Sequence, residues 1–362
     1  MVITKKYFFV LVVLLFMLSA CTTDSEETIT IGFMTDLTGP VAFVGEEIRK
    51  GAELAIAEIN DSRLRVYFED TQCSGREATN AMNTFIHIRD IRYTGGSLCS
   101  SEALAAAPLA QQHSVLHIAT GASTPELSHA GEHIFRVWPS DAREAQLIAE
   151  YAVTELSLST FAVLSVNTEF GVPLASTFSQ AIAENGAELL GKEMISAEQN
   201  TMRTELLRLQ QHNPEAIYVI VNPSQIVTVL RQIRELELDV TVLAYGPSIQ
   251  AAGVKESAGK LLDGVYYATP HLQERASFVE QFSIKYGQEP GLGASVGYDT
   301  LVLLYNAAAL CGADISCARE YLLGLDGFPG ASQVIRFDTF GDVQTPAQIV
   351  RVDRGESLVV FE

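Results

Sequence analysis

Two short stretches carry side chains whose types and spacing suit chemistry. Tyr93-Thr94-Gly95-Gly96-Ser97-Leu98-Cys99-Ser100-Ser101 runs straight into an alanine-rich helical pattern. Gly121-Ala122-Ser123-Thr124-Pro125-Glu126 follows a strand-like run. Cys99 stands at a helix start, where the positive end of the helix dipole favours a thiolate. It reads as a nucleophile, and Gly95-Gly96 as a loop that cradles phosphate. A third reading is a seat for a carboxylate. Ser100 and Ser101 are good N-cap types, and Ser123-Thr124-Pro125-Glu126 is a second helix start, with Pro early and Glu in the first turn. Loops that follow strands meet at the carboxyl ends of an open α/β sheet, where ligands bind. Two helix starts there offer free N–H groups and partial positive charge. Plain capping without a ligand is the alternative.

Cysteine parity argues against the nucleophile. The five cysteines are Cys21, Cys73, Cys99, Cys311 and Cys317. Cys21 belongs to the leader described below, which leaves an even number in an exported chain and so two disulfides. Cys311 and Cys317 bracket a five-residue loop and pair locally, leaving Cys73 with Cys99. A four-cysteine metal site is the weaker reading, because no C-x-x-C pair exists.

Other enzyme signals are thin. Gly253 to Leu261 approaches a P-loop, but five residues separate its glycines and Leu261 stands where Ser or Thr is required. The glycines of Gly291 to Gly297 miss the dinucleotide spacing. His113 with His117, and His129 with His133, lack the glutamate of an H-E-x-x-H helix. No Gly-x-Ser-x-Gly elbow occurs. No catalytic residue, no metal ligand and no cofactor is expected.

The elements that would position these loops begin after a leader. Lys5 and Lys6 precede the apolar run Tyr7 to Ala20, which reads as a secretory signal over 1–20. A run of about fourteen residues falls short of the about twenty that span a bilayer. Leu18-Ser19-Ala20-Cys21 resembles a bacterial lipobox, which makes Cys21 the lipidated first residue of the mature chain and 21–27 a tether. Roughly 340 residues remain, room for two domains. Charge is strongly acidic, 44 Asp and Glu against 24 Lys and Arg, which disfavours nucleic acid and anionic lipid as partners.

Strand and helix patterns then alternate. Thr28 to Asp36 is strand-like and Val41 to Asn60 helical; the same alternation runs on through the strand-like Val240 to Gly246. The strands are apolar and β-branched without polar alternation, as a parallel sheet covered on both faces requires. The fold class is α/β, with doubly wound lobes. The last third differs: a strand, two successive helices, then a short helix and three short strands. No Pro/Gly-rich linker separates two units, so the lobes share several crossovers.

On these residues a resemblance rests. Ile31 to Asn60 resembles the opening of the branched-chain amino acid-type (Leu/Ile/Val-binding-like) periplasmic solute-binding proteins of ABC transporters. Gly96 to Ala110 and Ala119 to Leu127 resemble that family's ligand corner, Phe135 to Tyr151 its lobe crossover, and Gly297 to Ala308 a late helix. The resemblance spans the mature chain in order. It implies the type I periplasmic binding protein fold, two parallel-sheet lobes joined by multiple crossovers. The implied lobes are 28–139 with 270–330, and 140–269 with 331–362. It implies a ligand carboxylate on Ser100 and Ser123, and the carbonyl of Gly121 accepting from the ammonium. Asp141 is a plain N-cap by sequence, and an ammonium partner by similarity to metabotropic-type receptor modules. Phe170 matches an aromatic that covers the ligand, and Tyr298 falls on a hinge-side helix near the cleft.

One departure stands out. The amino acid binders carry an acid after Gly-Pro, and here Ser248 occupies that position. A buried ammonium needs compensation, so either Asp141 supplies it or the ligand is an amide, urea or carboxylic acid. Tyr245 is a nearby polar handle, and Val44 replaces an aromatic of some members. The expectation is an exported, lipid-anchored monomer that closes by hinge motion on a small ligand, an amino acid or related carboxylate. It would deliver that ligand to an ABC permease and ATPase. A sensor subunit of the same fold is the alternative.

Overall fold

The computed structural model describes residues 28–251 and 253–361. The leader and Cys21 lie outside the described residues. Two sheets organise the chain. The first is wholly parallel, in the order β2-β1-β3-β4-β5. Its strands are β1 (Ile29–Thr35), β2 (Leu64–Asp70), β3 (Tyr93–Gly96), β4 (Leu116–Ala119) and β5 (Ile134–Arg136). The second runs β14-β13-β10-β9-β8-β6-β7. It uses β6 (Thr160–Val166), β7 (Glu188–Ile195), β8 (Ala216–Ile220), β9 (Thr241–Tyr245) and β10 (Tyr266–Pro270) in parallel. An antiparallel hairpin, β13 (Ala347–Asp353) and β14 (Glu356–Phe361), extends its edge.

Strands β1 and β6 are buried on both faces. Phe33 and Met34 in β1, and Ala162, Val163 and Leu164 in β6, are fully buried. That is why these runs lack alternation. Helices cover each face. Ala42–Ile59 and Ala294–Cys311 lie together on one side of the first sheet, in one core with Phe278 and Phe282. On its other face Gly75–Asn83 and Ser100–Gln112 bury Met34, Phe85 and Ala106.

The end of the chain departs from expectation in two ways. Four strands, not three, follow helix Ile315–Leu323; β11 (Phe328–Pro329) and β12 (Val334–Ile335) are only a two-residue pair. Ala331, Ile335, Phe337 and Val343 are buried in the first lobe's core. We therefore place the last crossover after Val343, later than the 330/331 boundary expected from the sequence. Both expected disulfides form, Cys73–Cys99 with Cα atoms 5.3 Å apart and Cys311–Cys317 at 5.7 Å.

Candidate functional site

The loops at the carboxyl ends of β3 and β4 turn toward the second sheet. Between the two sheets lies a cavity of about 580 Å³. The first lobe contributes Ser100, Gly121 and Ser123; the second contributes Phe170 and Tyr245. Val44, Leu98 and Val296 supply apolar wall, and Trp138 stands at the crossover. Glu169 and Glu198 line it from the second lobe, and no Lys, Arg or His is among its described lining residues.

The capping pattern differs from the sequence reading. Cys99, not Ser100 or Ser101, is the N-cap of helix Ser100–Gln112, and its N–H donates to Glu102 Oε2 at 2.9 Å. Ser100 is thereby the first helical residue, released from capping, and its Oγ accepts from the N–H of Thr124 at 3.3 Å. Pro125–His129 is a single 3-10 turn capped by Thr124, so Ser123 is not a cap either. Asp141 begins helix Asp141–Thr154 but the N-cap is Ser140, whose Oγ accepts from Ala142 N at 3.4 Å.

The Gly95-Gly96 step serves the backbone rather than phosphate. Gly96 has φ +103°, and a Cβ there would lie 1.8 Å from the Met34 carbonyl; only glycine tolerates both. Gly121 is similar in effect, since a Cβ would meet Leu98 Cδ1 at 2.5 Å. Its N–H donates to Ser97 O at 3.3 Å. The two ligand loops are thus packed backbone against backbone.

Asp141 is fully buried behind the cavity wall. The Ser123 hydroxyl donates to its Oδ2, and the Tyr245 hydroxyl to its Oδ1 at 3.4 Å. Its own N–H donates to Ser123 O at 3.0 Å. Burial pushes its carboxyl up to about 6, against the pull of those hydroxyls. One turn on, Glu144 is buried with both carboxyl oxygens unpartnered among the described residues, and burial plus the charge of Asp141 hold it well above the usual carboxylate range. Phe170 stacks on Tyr245, with ring centroids 5.5 Å apart.

Besides Asp141, two expected residues do not line the cavity. Ser248 is buried in the short helix Gly246–Gln250, and its hydroxyl donates to the carbonyl of Val221. Tyr298 packs edge-on against Phe278 in the first core, and its hydroxyl donates to Glu58 Oε2 at 2.5 Å. The same helix instead presents Val296. Among the described residues the cluster Asp36, Cys99 and Glu102 has metal-like spacing. Cys99 is committed to its disulfide, so only two carboxyls remain there. His117 is fully buried between Thr94 Oγ1 and Ser97 Oγ, and burial lowers it to about 4. It is a neutral core histidine.

Sequence reasoning missed Arg136. Its guanidinium is fully buried, donating to Thr124 O at 2.8 Å, Ser128 Oγ at 2.7 Å and Asp342 Oδ2 at 2.5 Å. It fixes the 123–129 loop to the late segment around Asp342. A lone arginine at the end of a β-strand gives no signal of this, because its partner is 206 residues away.

Residues 28–357 match the sequence family described as periplasmic binding protein. The Leu/Ile/Val-binding protein of Escherichia coli (strain K12) is 25% identical over 252 residues, 67% of this chain and 68% of that protein. A leucine-binding protein from Thermotoga maritima superposes with a TM-score of 0.83 at 24% identity, over 92% of this chain and 97% of that one. A solute-binding protein of an ABC transporter from Rhodopseudomonas palustris, in complex with 3,4-dihydroxybenzoic acid, superposes with a TM-score of 0.80 at 22% identity, covering 93% and 97%. The two-sheet architecture is that of the type I periplasmic binding proteins, and with a match across almost the whole described chain the protein belongs to the periplasmic binding protein family, whose members bind rather than transform.

Proposed function

We propose that this chain is an extracytoplasmic solute-binding lipoprotein, anchored through Cys21, that captures a small amino acid-like carboxylate between its lobes and hands it to an ABC importer. The observation that carries this is the interlobe cavity, with Ser100 and Ser123 on one wall and Phe170 over Tyr245 on the other. Ser100 sits at the N-terminal end of a thirteen-residue helix, whose first N–H groups and dipole favour an anion. The cavity has the size of a small-molecule site and its wall is largely apolar with a few polar groups. A binding protein would close its lobes on the ligand by hinge motion, and the three crossovers are where that motion would be absorbed.

A second ligand class has support from the same wall. Phe170, Tyr245 and Trp138 would flank an aromatic ring, and the Rhodopseudomonas palustris protein named above holds an aromatic acid. Both classes share the carboxylate. A thermal-shift screen against amino acids, aromatic and aliphatic acids, amides and urea tests it, since a ligand of the folded state raises Tm with concentration. At least one carboxylate should stabilise, and Ser100→Ala with Ser123→Ala should remove the effect. Stabilisation by uncharged amides alone would overturn the proposal.

A further inference from the structure

Strands β2, β1 and β3 lie side by side in the first sheet, and the segment after each carries one oxygen-bearing side chain into the same spot. Thr71 follows β2, Asp36 follows β1, and Glu102 lies in the first turn of helix Ser100–Gln112 after β3. All three residues are fully buried. Among the described residues Thr71 Oγ1, Asp36 Oδ2 and Glu102 Oε1 make no hydrogen bond. Thr71 Oγ1 faces both carboxyls but meets hydrogen-bond geometry with neither. The other oxygen of each acid is engaged. Asp36 Oδ1 accepts from the N–H of Cys73, and Glu102 Oε2 from that of Cys99 at 2.9 Å. The frame is held from outside: the Thr71 N–H donates to Thr35 O at 3.1 Å, and the Cys73–Cys99 disulfide joins the two amide donors.

Three buried oxygens without partners are costly, and two of them belong to adjacent acids. Neither acid makes an ion pair among the described residues. Asp70, at the end of β2, adds a further negative charge beside Asp36. The helix start contributes only about half a positive charge, so with both acids ionised the spot is strongly negative. We propose that Asp36, Glu102 and Thr71 are the ligands of a structural cation site that takes a hard divalent cation, calcium or magnesium. The donors are all oxygen, two carboxylates and a hydroxyl, which suits these ions rather than zinc or copper. The carboxylate oxygens lie within 4.8 Å of each other; two oxygens on one calcium at about 2.4 Å are at most about 4.8 Å apart. Cys99 Sγ belongs to the same cluster, but it is held in the disulfide and donates nothing.

None of the three ligands lines the interlobe cavity, so the inference stands apart from the choice of solute. Its consequence still reaches the cavity wall. The cation joins the ends of β1 and β2 to the helix that begins with Ser100, while Ser101 Oγ donates to Cys73 O at 3.3 Å across the same junction. Without a cation, burial of the two carboxyls is relieved by protonation, Glu102 being the more raised of the two. Chelator-treated protein is therefore the reference state.

Isothermal titration of the chelator-treated chain with calcium and with magnesium tests this, beside scanning calorimetry. An acidic chain gains from any salt by screening, so ionic strength is held constant with potassium chloride. The expected result is one strong site, with a dissociation constant of about 0.1–1 mM for the better ion. At ten times that constant Tm should rise by about 3 °C. Hydrogen exchange should slow at 71–74 and 99–103, which reads the site without a substitution. Asp36→Asn and Glu102→Gln keep the side-chain shape and remove its charge; each should weaken binding at least tenfold. Thr71→Val leaves both acids in place and should weaken it at least threefold. Neither ion binding at ten times the expected constant would overturn the inference. So would binding that survives both acid substitutions within twofold, or protection confined to other segments, since the cation would then sit elsewhere on this acidic surface.

Discussion

The two disulfides offer a controlled perturbation of the ligand corner. Cys73–Cys99 closes a separation of 26 residues and Cys311–Cys317 one of 6. Chain-entropy arguments assign the first about 3.5 kcal/mol and the second about 2.2 kcal/mol at 25 °C. For a chain of this size about 2 °C of Tm corresponds to 1 kcal/mol. Cys73→Ala with Cys99→Ala should then lower Tm by about 7 °C, and Cys311→Ala with Cys317→Ala by about 4 °C. The functional consequence separates them further. Cys99 adjoins Ser100, Cys73 and Cys99 both line the cavity, and Ser101 Oγ donates to Cys73 O at 3.3 Å. The second disulfide ends helix Ala294–Cys311 away from the cavity lining. Differential scanning calorimetry and ligand titration on both double variants are the assay, with the strongest stabiliser from the screen as probe. Loss of the first pair should weaken binding at least fivefold at a temperature where the variant remains folded; loss of the second should leave affinity within twofold. Equal Tm losses, or affinity untouched by loss of Cys73–Cys99, would refute the reasoning.

Arg136→Met should cost about 3 kcal/mol or more, because it strands Asp342 and the Thr124 carbonyl; chemical denaturation should show it, and a loss below 1 kcal/mol would mean the ion pair is not structural. Asp36 and Glu102 are both fully buried, Asp36 accepts from Cys73 N and Glu102 from Cys99 N, and their remaining oxygens have no other partner among the described residues. Burial raises both carboxyls, Glu102 the further; Asp36 raises Glu102 in addition, whereas the contact with Glu102 pulls Asp36 down. A raised carboxyl stabilises the fold while protonated, so this contribution is complete below the ordinary carboxylate range and is lost as pH rises through the folded value. Glu102→Gln should therefore flatten the alkaline arm of a Tm-against-pH curve and raise Tm there; a lower Tm at alkaline pH would contradict a raised Glu102 carboxyl.

The fold was legible because its signals are local. An unbroken β-branched run such as Phe161 to Val166 needs two covered faces, and each such run is followed by a helical period. Cysteine parity carried the disulfides for the same reason: it needs only a count and a short loop. The corner itself was legible at the level of segment, since Ser100, Gly121 and Ser123 meet where the loops after β3 and β4 converge. What each atom does there was not. Whether Ser100 caps a helix or faces the cavity depends on Cys99 taking the cap through Glu102, a carboxyl buried beside Asp36 from the end of β1. Tyr298 sits in a helix whose two buried sides look alike in sequence; Val296, two residues earlier, lines the cavity while Tyr298 packs in the core.

Ser248 shows how a correct observation can point past its cause. The absence of an acid after Gly-Pro signals that a buried cation must be compensated elsewhere. Sequence puts Asp141 forward as one candidate, 107 positions earlier and across a crossover on the helix that leaves the first lobe, but it does not show what Asp141 bonds. Only the fold shows that Asp141 Oδ2 takes the proton of Ser123 in the first lobe while Oδ1 takes that of Tyr245 in the second. One buried carboxylate thereby orients hydroxyls from both lobes. Asp141 therefore ties the two walls of the cavity together through Ser123 and Tyr245.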